Sequence, residues 1–257
     1  MDKEQRRSAR AAHQGTLWRS GPLQPVLAGS DLHVWRAALG GGRLCVSALE
    51  RALTDDERQR AARFRVARDA ERFVVCRGIL RILLGRYTHS EPAQLRFEYG
   101  EFGKPAVSMP AAARALNFNL AHADGFALYA FTYGRAVGID VELVDSKLLS
   151  EELIERFSPL DVGPVLARAA PRERRRLFIR NWTEREARVK AAGGSLASDI
   201  DARATQRLAA AGGAGAGPQN AWQIIDLPLG EDYTGCVAVP PGDYTLHCYG
   251  WSEAVSR

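Results

Sequence analysis

No run in the 257-residue chain approaches the roughly 20 consecutive apolar residues that a membrane-spanning helix requires, so no span is expected. Cysteine is scarce. Cys45, Cys76, Cys236 and Cys248 lie too far apart to match a zinc spacing or a disulfide framework, which points to reduced thiols and a cytoplasmic setting. The opening MDKEQRRSARAAHQG has no apolar h-region, so residues 1–15 are expected to be a disordered basic tail rather than a secretory signal. A P-loop and the kinase signature set are missing too, and no recognised nucleic-acid motif is present. What is present is globular in character, because 46% hydrophobic and 25% charged residues suffice to build a core and solubilise its surface. The net charge of +5 rests mostly on arginine and favours an anionic partner: phosphate, nucleic acid or an acidic protein.

The periodicities alternate between strand and helix. HVWRAAL (33–39) and GRLCVSAL (42–49) suggest short early strands. Thr54 with Glu57 three residues on forms a capping-box signal, and Phe73, Cys76, Leu80, Leu83 and Leu84 keep helical spacing, predicting a long helix reaching about Tyr87. LRFEYGEFGKPAV (95–107) reads as strand, glycine turn and strand. Residues 116–144 are strand-rich, with a turn at Tyr133-Gly134-Arg135 expected to pair two runs as a hairpin. Beyond Asp145, a short helix is expected at 150–157 and a longer one opening at Pro171 and closing at Gly193-Gly194. An Ala-Gly surface loop (209–220) and three strands follow. The sum is an α+β protein with an N-terminal lobe over 16–145 and a C-terminal lobe over 146–257.

Within VGIDVEL (137–143), a period of two puts Asp140 and Glu142 on one face and Val137, Ile139 and Val141 on the other. That pattern fits a half-exposed strand with an acidic wet face, and equally a pair of carboxylates sharing a cation. The helix after Pro171 adds to the second reading. Phe178, Trp182, Glu186 and Val189 follow at spacings of four, four and three, so Glu186 continues an apolar stripe where a solvated carboxylate is not expected. Lys190 lies one turn on. A Glu-to-Lys pair at this spacing is worth only about 0.3–0.5 kcal/mol on a surface, but a carboxylate on a buried stripe needs a cation or a metal. Arg58, Arg60, Arg63, Arg65, Arg68 and Arg72 stud one segment, and the run RERRR (172–176) is either a solvated helix face or a dock for an acidic protein. Lys104 sits in a Gly-Lys-Pro turn, and His122 lies between strand pieces as either a structural or a functional imidazole.

RFRVARDAERF, FGKPAV, NFNLAHADGFAL, VGIDVE and FIRNWTEREARVKAAGGSL together, in this order and spanning about residues 55 to 196, resemble the 4′-phosphopantetheinyl transferases of the larger single-chain type. The resemblance implies two α+β lobes of similar size related by a pseudo-twofold axis, each a small antiparallel sheet packed with helices, with coenzyme A in the cleft between them. It implies transfer of the 4′-phosphopantetheine arm of coenzyme A to a serine of an acidic acyl or peptidyl carrier protein, with adenosine 3′,5′-bisphosphate released. Mapped onto this chain, Asp140, Glu142 and Glu186 look like ligands of Mg²⁺, with Mn²⁺ as the competing ion. Glu186, Lys190 and Glu142 look catalytic, while Arg60, Arg72, Lys104, Asn119 and His122 look like coenzyme A contacts. The enzyme is expected to be a monomer. Ala121 and Ala123 stand where the family usually has serines, Arg185 where it has lysine, and Ser195 where it has glycine. Two other readings are a scaffold that binds carrier proteins without catalysis and a basic nucleic-acid-binding protein. The full acid-lysine set disfavours the first, and carboxylates facing a phosphate backbone disfavour the second.

Overall fold

The computed structural model describes residues 18–39, 45–145, 169–194 and 222–252. The expected helix at 150–157, the 209–220 loop, the 1–15 tail and Ser195 lie outside these residues. Among the described residues the architecture is α+β, with three sheets. The largest takes β1 (Arg19–Ser20), β10 (Thr245–Gly250), β2 (Asp31–Ala38), β6 (Phe126–Tyr133) and β5 (Leu116–His122) in that spatial order. A second is antiparallel, with β7 (Gly138–Leu143), β9 (Tyr233–Val239) and β8 (Gln223–Asp226) side by side. β3 (Arg96–Tyr99) and β4 (Pro105–Met109) form a hairpin whose turn uses Gly103 at φ 79°, as the glycine-containing turn predicts.

Alternation sorts the core. On β2 and β6, Trp35, Tyr129 and Phe131 pack with Ile79, Leu80, Leu83 and Leu84 of the long helix α3 (Ala67–Thr88). The opposite face of the same strands presents Leu32, Val34, Leu128 and Ala130 to Ile139, Val141, Val237 and Val239 of the second sheet. The outer face of that sheet carries helix α4 (Pro171–Ala192). The layers therefore run helix, sheet, sheet, helix, and β2 and β6 are buried on both sides. Each fully buried Leu or Ile contributes about 1.5–3 kcal/mol to such a core.

Local signals locate most elements, but partner choice depends on the whole chain. Residues 46–51 are helix α1 rather than strand. The long helical signal from Thr54 is two helices, α2 (Asp55–Ala62) and α3, with a break at 63–66. The 133–135 turn does not make a hairpin. Both edges of β6 are already taken by β2 and β5, so the chain passes Gly134 (φ 66°) and β7 joins the other sheet. Nor is the largest sheet purely antiparallel, because β10 enters between β1 and β2 and runs parallel to both.

Candidate active site

The two faces of β7 meet different surroundings. Ile139 and Val141 point into the apolar layer, with 0% and 1% exposure. Gly138, Asp140 and Glu142 face α4, which lies across β7 and β9. The helix rests on the row Ile179, Thr183, Ala187 and Ala191, all buried. Below the last two are Gly138, Cys236 and Ala238, which are small enough for the backbones to approach closely. A β-carbon on Gly138 would lie 2.1 Å from the Ala187 carbonyl oxygen. This contact row is one step round from the expected stripe, so Phe178 and Val189 are buried while Trp182 and Glu186 are half-buried at its margin. From that margin Glu186 and Lys190 reach the acids of β7.

The Lys190 ammonium donates to Asp140 Oδ1 at 2.6 Å. Asp140 Oδ2 is buried with no hydrogen-bond partner among the described residues. Burial pushes the Asp140 carboxyl above the usual carboxylate range, and Lys190 opposes that shift. Glu142 is pushed up to about 7, first by burial, then by the Asp140 charge and that of Glu186, with Lys190 pulling the other way. Lys190 thus offsets the charge of both strand carboxylates. An orphaned buried oxygen and an all-oxygen donor set are what a hard cation such as Mg²⁺ or Mn²⁺ fits.

Next to this cluster is a cavity of about 400 Å³ lined by Arg60, Arg72, Phe73, Tyr99, Leu120 and His122 among others. The Arg60 guanidinium stacks over Phe73 with 5.2 Å to the ring centroid, and Arg72 bonds Asp124 at 3.3 Å beside Arg68. His122 joins cavity to cluster. Its imidazole pKa is lowered first by loss of water, then by the Arg72 and Lys190 charges, while Asp140 acts in the opposite sense. A second cavity of about 390 Å³, between Arg180, Glu184 and the 227–231 segment, takes in Arg176 of the RERRR run but none of the expected metal, catalytic or coenzyme A residues.

Two expected contacts are engaged elsewhere. Lys104 donates to the carbonyls of Val137 (2.9 Å) and Ala191 (3.1 Å), so it fastens the β3–β4 turn to the start of β7 and the C-terminus of α4. Burial pulls its pKa down to about 8. The Asn119 amide oxygen accepts the Ile139 N–H at 2.9 Å and so couples β5 to β7. Ala121 and Ala123 face the apolar layer, on the side of β5 opposite His122 and Leu120, so hydroxyls there would not line the cavity.

A buried hub went unforeseen. Glu57 accepts from Arg77 Nε (2.6 Å) and from Arg81, and reaches back to the Thr54 N–H (3.1 Å). Both guanidiniums lie over Phe97, at 4.6 and 4.9 Å, and Arg77 also lines the cavity. The signal was there in Arg77 and Arg81, four apart inside an apolar helical run.

An acidic cluster opening on an arginine- and histidine-lined cavity has the donor and charge inventory that suits a phosphate-bearing ligand. The profile described as "4'-phosphopantetheinyl transferase, N-terminal" matches residues 45–133. The 4'-phosphopantetheinyl transferase HetI of Nostoc sp. is 32% identical over 224 residues, covering 86% of this chain and 93% of that one. The 4'-phosphopantetheinyl transferase Sfp of Bacillus subtilis is 27% identical over 58% of this chain and 64% of its own. AcpT of Salmonella typhimurium, also a 4'-phosphopantetheinyl transferase, is 35% identical over 45% of this chain and 57% of its own. The chain belongs to the 4′-phosphopantetheinyl transferase family.

Proposed function

We propose that this protein transfers the 4′-phosphopantetheine arm of coenzyme A to a serine of an apo acyl or peptidyl carrier protein and releases adenosine 3′,5′-bisphosphate. The observation that carries this reading is the junction at His122 of the Arg60–Arg72 cavity with the Asp140–Glu142–Glu186–Lys190 cluster. Arg60 and Arg72 bind the bisphosphate end of the donor, and His122 faces its phosphates. The serine hydroxyl forms the new oxygen–phosphorus bond as the pyrophosphate P–O bond breaks, and the electron pair leaves with the bisphosphate. Glu186 takes the serine proton, directly or through a water. Lys190 faces the departing charge. Asp140, Glu142 and Glu186 would hold Mg²⁺ or Mn²⁺, which when bound supplies charge neutralisation at the pyrophosphate. Lys104 and Asn119 act by position, fixing α4 and β7 so that the acids converge.

In this reading the molecule has the two-lobed, pseudo-twofold form, the chain passing between lobes near Asp145 with β7 and β10 exchanged between their sheets. Support comes from two sheets each backed by a 22-residue helix, α3 and α4. It works as a monomer in the cytoplasm, with no membrane or nucleic-acid partner. The net charge of +5 suits an acidic carrier. The RERRR run is partly engaged internally, Arg172 with Asp232 and Arg176 with the Glu231 carbonyl, so attraction by overall charge carries that part of the reading.

The test is intact mass of apo carrier proteins after incubation with this protein, coenzyme A and Mg²⁺. The expected result is a gain of one phosphopantetheine arm, abolished by chelator and by Glu186→Gln. A chain that neither modifies any carrier nor binds coenzyme A would overturn the reading.

A further inference from the structure

Parallel pairing of β10 with β2 sets His247 directly beside His33, and Asp31, two residues earlier on β2, shares their face. This face looks toward α3, on the other side of the large sheet from β7. One ligand atom from each of the three residues lies within 4.8 Å of the others. His247 Nε2 is 3.5 Å from Asp31 Oδ1, and His33 Nε2 is 3.8 Å from Asp31 Oδ2. These gaps are too wide for sound hydrogen bonds. The His247 gap matches the spacing of about 3.3–3.5 Å between donors that share one tetrahedral ion, and the His33 gap is a few tenths of an ångström wider.

The surroundings hold each donor in place. Asp31 Oδ2 accepts the Ala28 N–H at 2.9 Å, which fixes the carboxylate. Trp35 Nε1–H donates to the Tyr87 hydroxyl oxygen at 2.8 Å, and the same hydroxyl is hydrogen-bonded to His33 Nδ1, also at 2.8 Å. The bond at Nδ1 orients the ring so that Nε2 faces Asp31, as metal-binding histidines are commonly held through their other ring nitrogen. His33 is buried, with 2% exposure, and its ring packs edge-on against His247. His247 stacks on Tyr249 and keeps 34% of its side chain exposed, so the site opens to solvent.

We propose that Asp31, His33 and His247 form a second metal site, for a divalent ion of zinc type with water in the fourth position, which clips β10 to β2. Two imidazoles and one carboxylate suit Zn²⁺ and are poor ligands for Mg²⁺, so this site and the acid cluster select different ions. The inference does not depend on the proposed transfer reaction.

The test uses the full chain, stripped with chelator, dialysed against Zn²⁺ and assayed for bound metal alongside thermal unfolding. Wild type and Asp140→Asn are each expected to retain the ion, and His247→Gln and Asp31→Asn to bind it at least tenfold more weakly. Added Zn²⁺ is expected to raise the Tm of wild type but not of His247→Gln. The Tm of each variant without metal checks that it folds, and the buried His33 is left unaltered. Zinc bound equally well by His247→Gln, lost in Asp140→Asn alone, or absent from wild type would overturn the proposal.

Discussion

Glu142 carries a proton that the unfolded chain would have given up. Its pKa rises from the usual 4.5 to about 7, so between those values the native state binds more protons than the denatured one. Stability then falls as pH rises through this window, and the electrostatic cost is complete above pH 7. Without metal, Glu142→Gln is therefore expected to gain about 1–2 kcal/mol over wild type between pH 5 and pH 8, after allowance for solvent screening. Urea midpoints at the two pH values check it. The same proton competes with a cation, so apparent Mg²⁺ affinity is expected to be weaker at pH 6 than at pH 8, by titration of transfer rate against Mg²⁺. At this scale the sequence was informative where the geometry is local. A period of two paired Asp140 with Glu142, and a spacing of four aligned Glu186 with Lys190. It was uninformative for Lys104 and Asn119, whose partners are backbone groups of Val137, Ala191 and Ile139. Every residue has such groups, so the choice leaves no mark on the sequence.

Helix α4 and strand β7 work as a unit because small residues line their contact. Gly138→Val is expected to lift the helix from the strand, separate Lys190 from Asp140 and reduce transfer at least tenfold, at a stability cost of about 1–3 kcal/mol. Carrier modification and thermal unfolding, measured together, separate the two effects. Helices α2 and α3 are joined by the Glu57 hub. Glu57→Gln leaves two buried guanidiniums without their counter-charge and is expected to cost about 3–5 kcal/mol, read as a lowered urea midpoint. Helix starts, the β3–β4 turn and the strand runs were legible because capping and alternation are written in neighbouring residues. The break at 63–66 and the pairing of β7 with β9 were not. The first interrupts a composition that stays polar and helical throughout. The second follows from which strand edges remain open once distant segments have paired.

For the whole molecule, the α+β class could be read from the sequence, but the exchange of strands between distant segments could not. β10 lies between β1 and β2, so its removal opens the largest sheet at its second position and uncovers Trp35 and the aromatic layer behind it. A chain stopped after Asp243 is expected to lose cooperative thermal unfolding, as followed by circular dichroism. The arrangement also sets a timetable for synthesis. About 200 residues separate β2 from β10, which at about 5–20 residues per second is roughly 10–40 s of translation. Through that interval β2 emerges with one edge bare, a surface suited to chaperones or to premature pairing. Any slowing of the ribosome between these strands prolongs the exposure, so codon choice in the middle of the gene bears on the yield of folded protein.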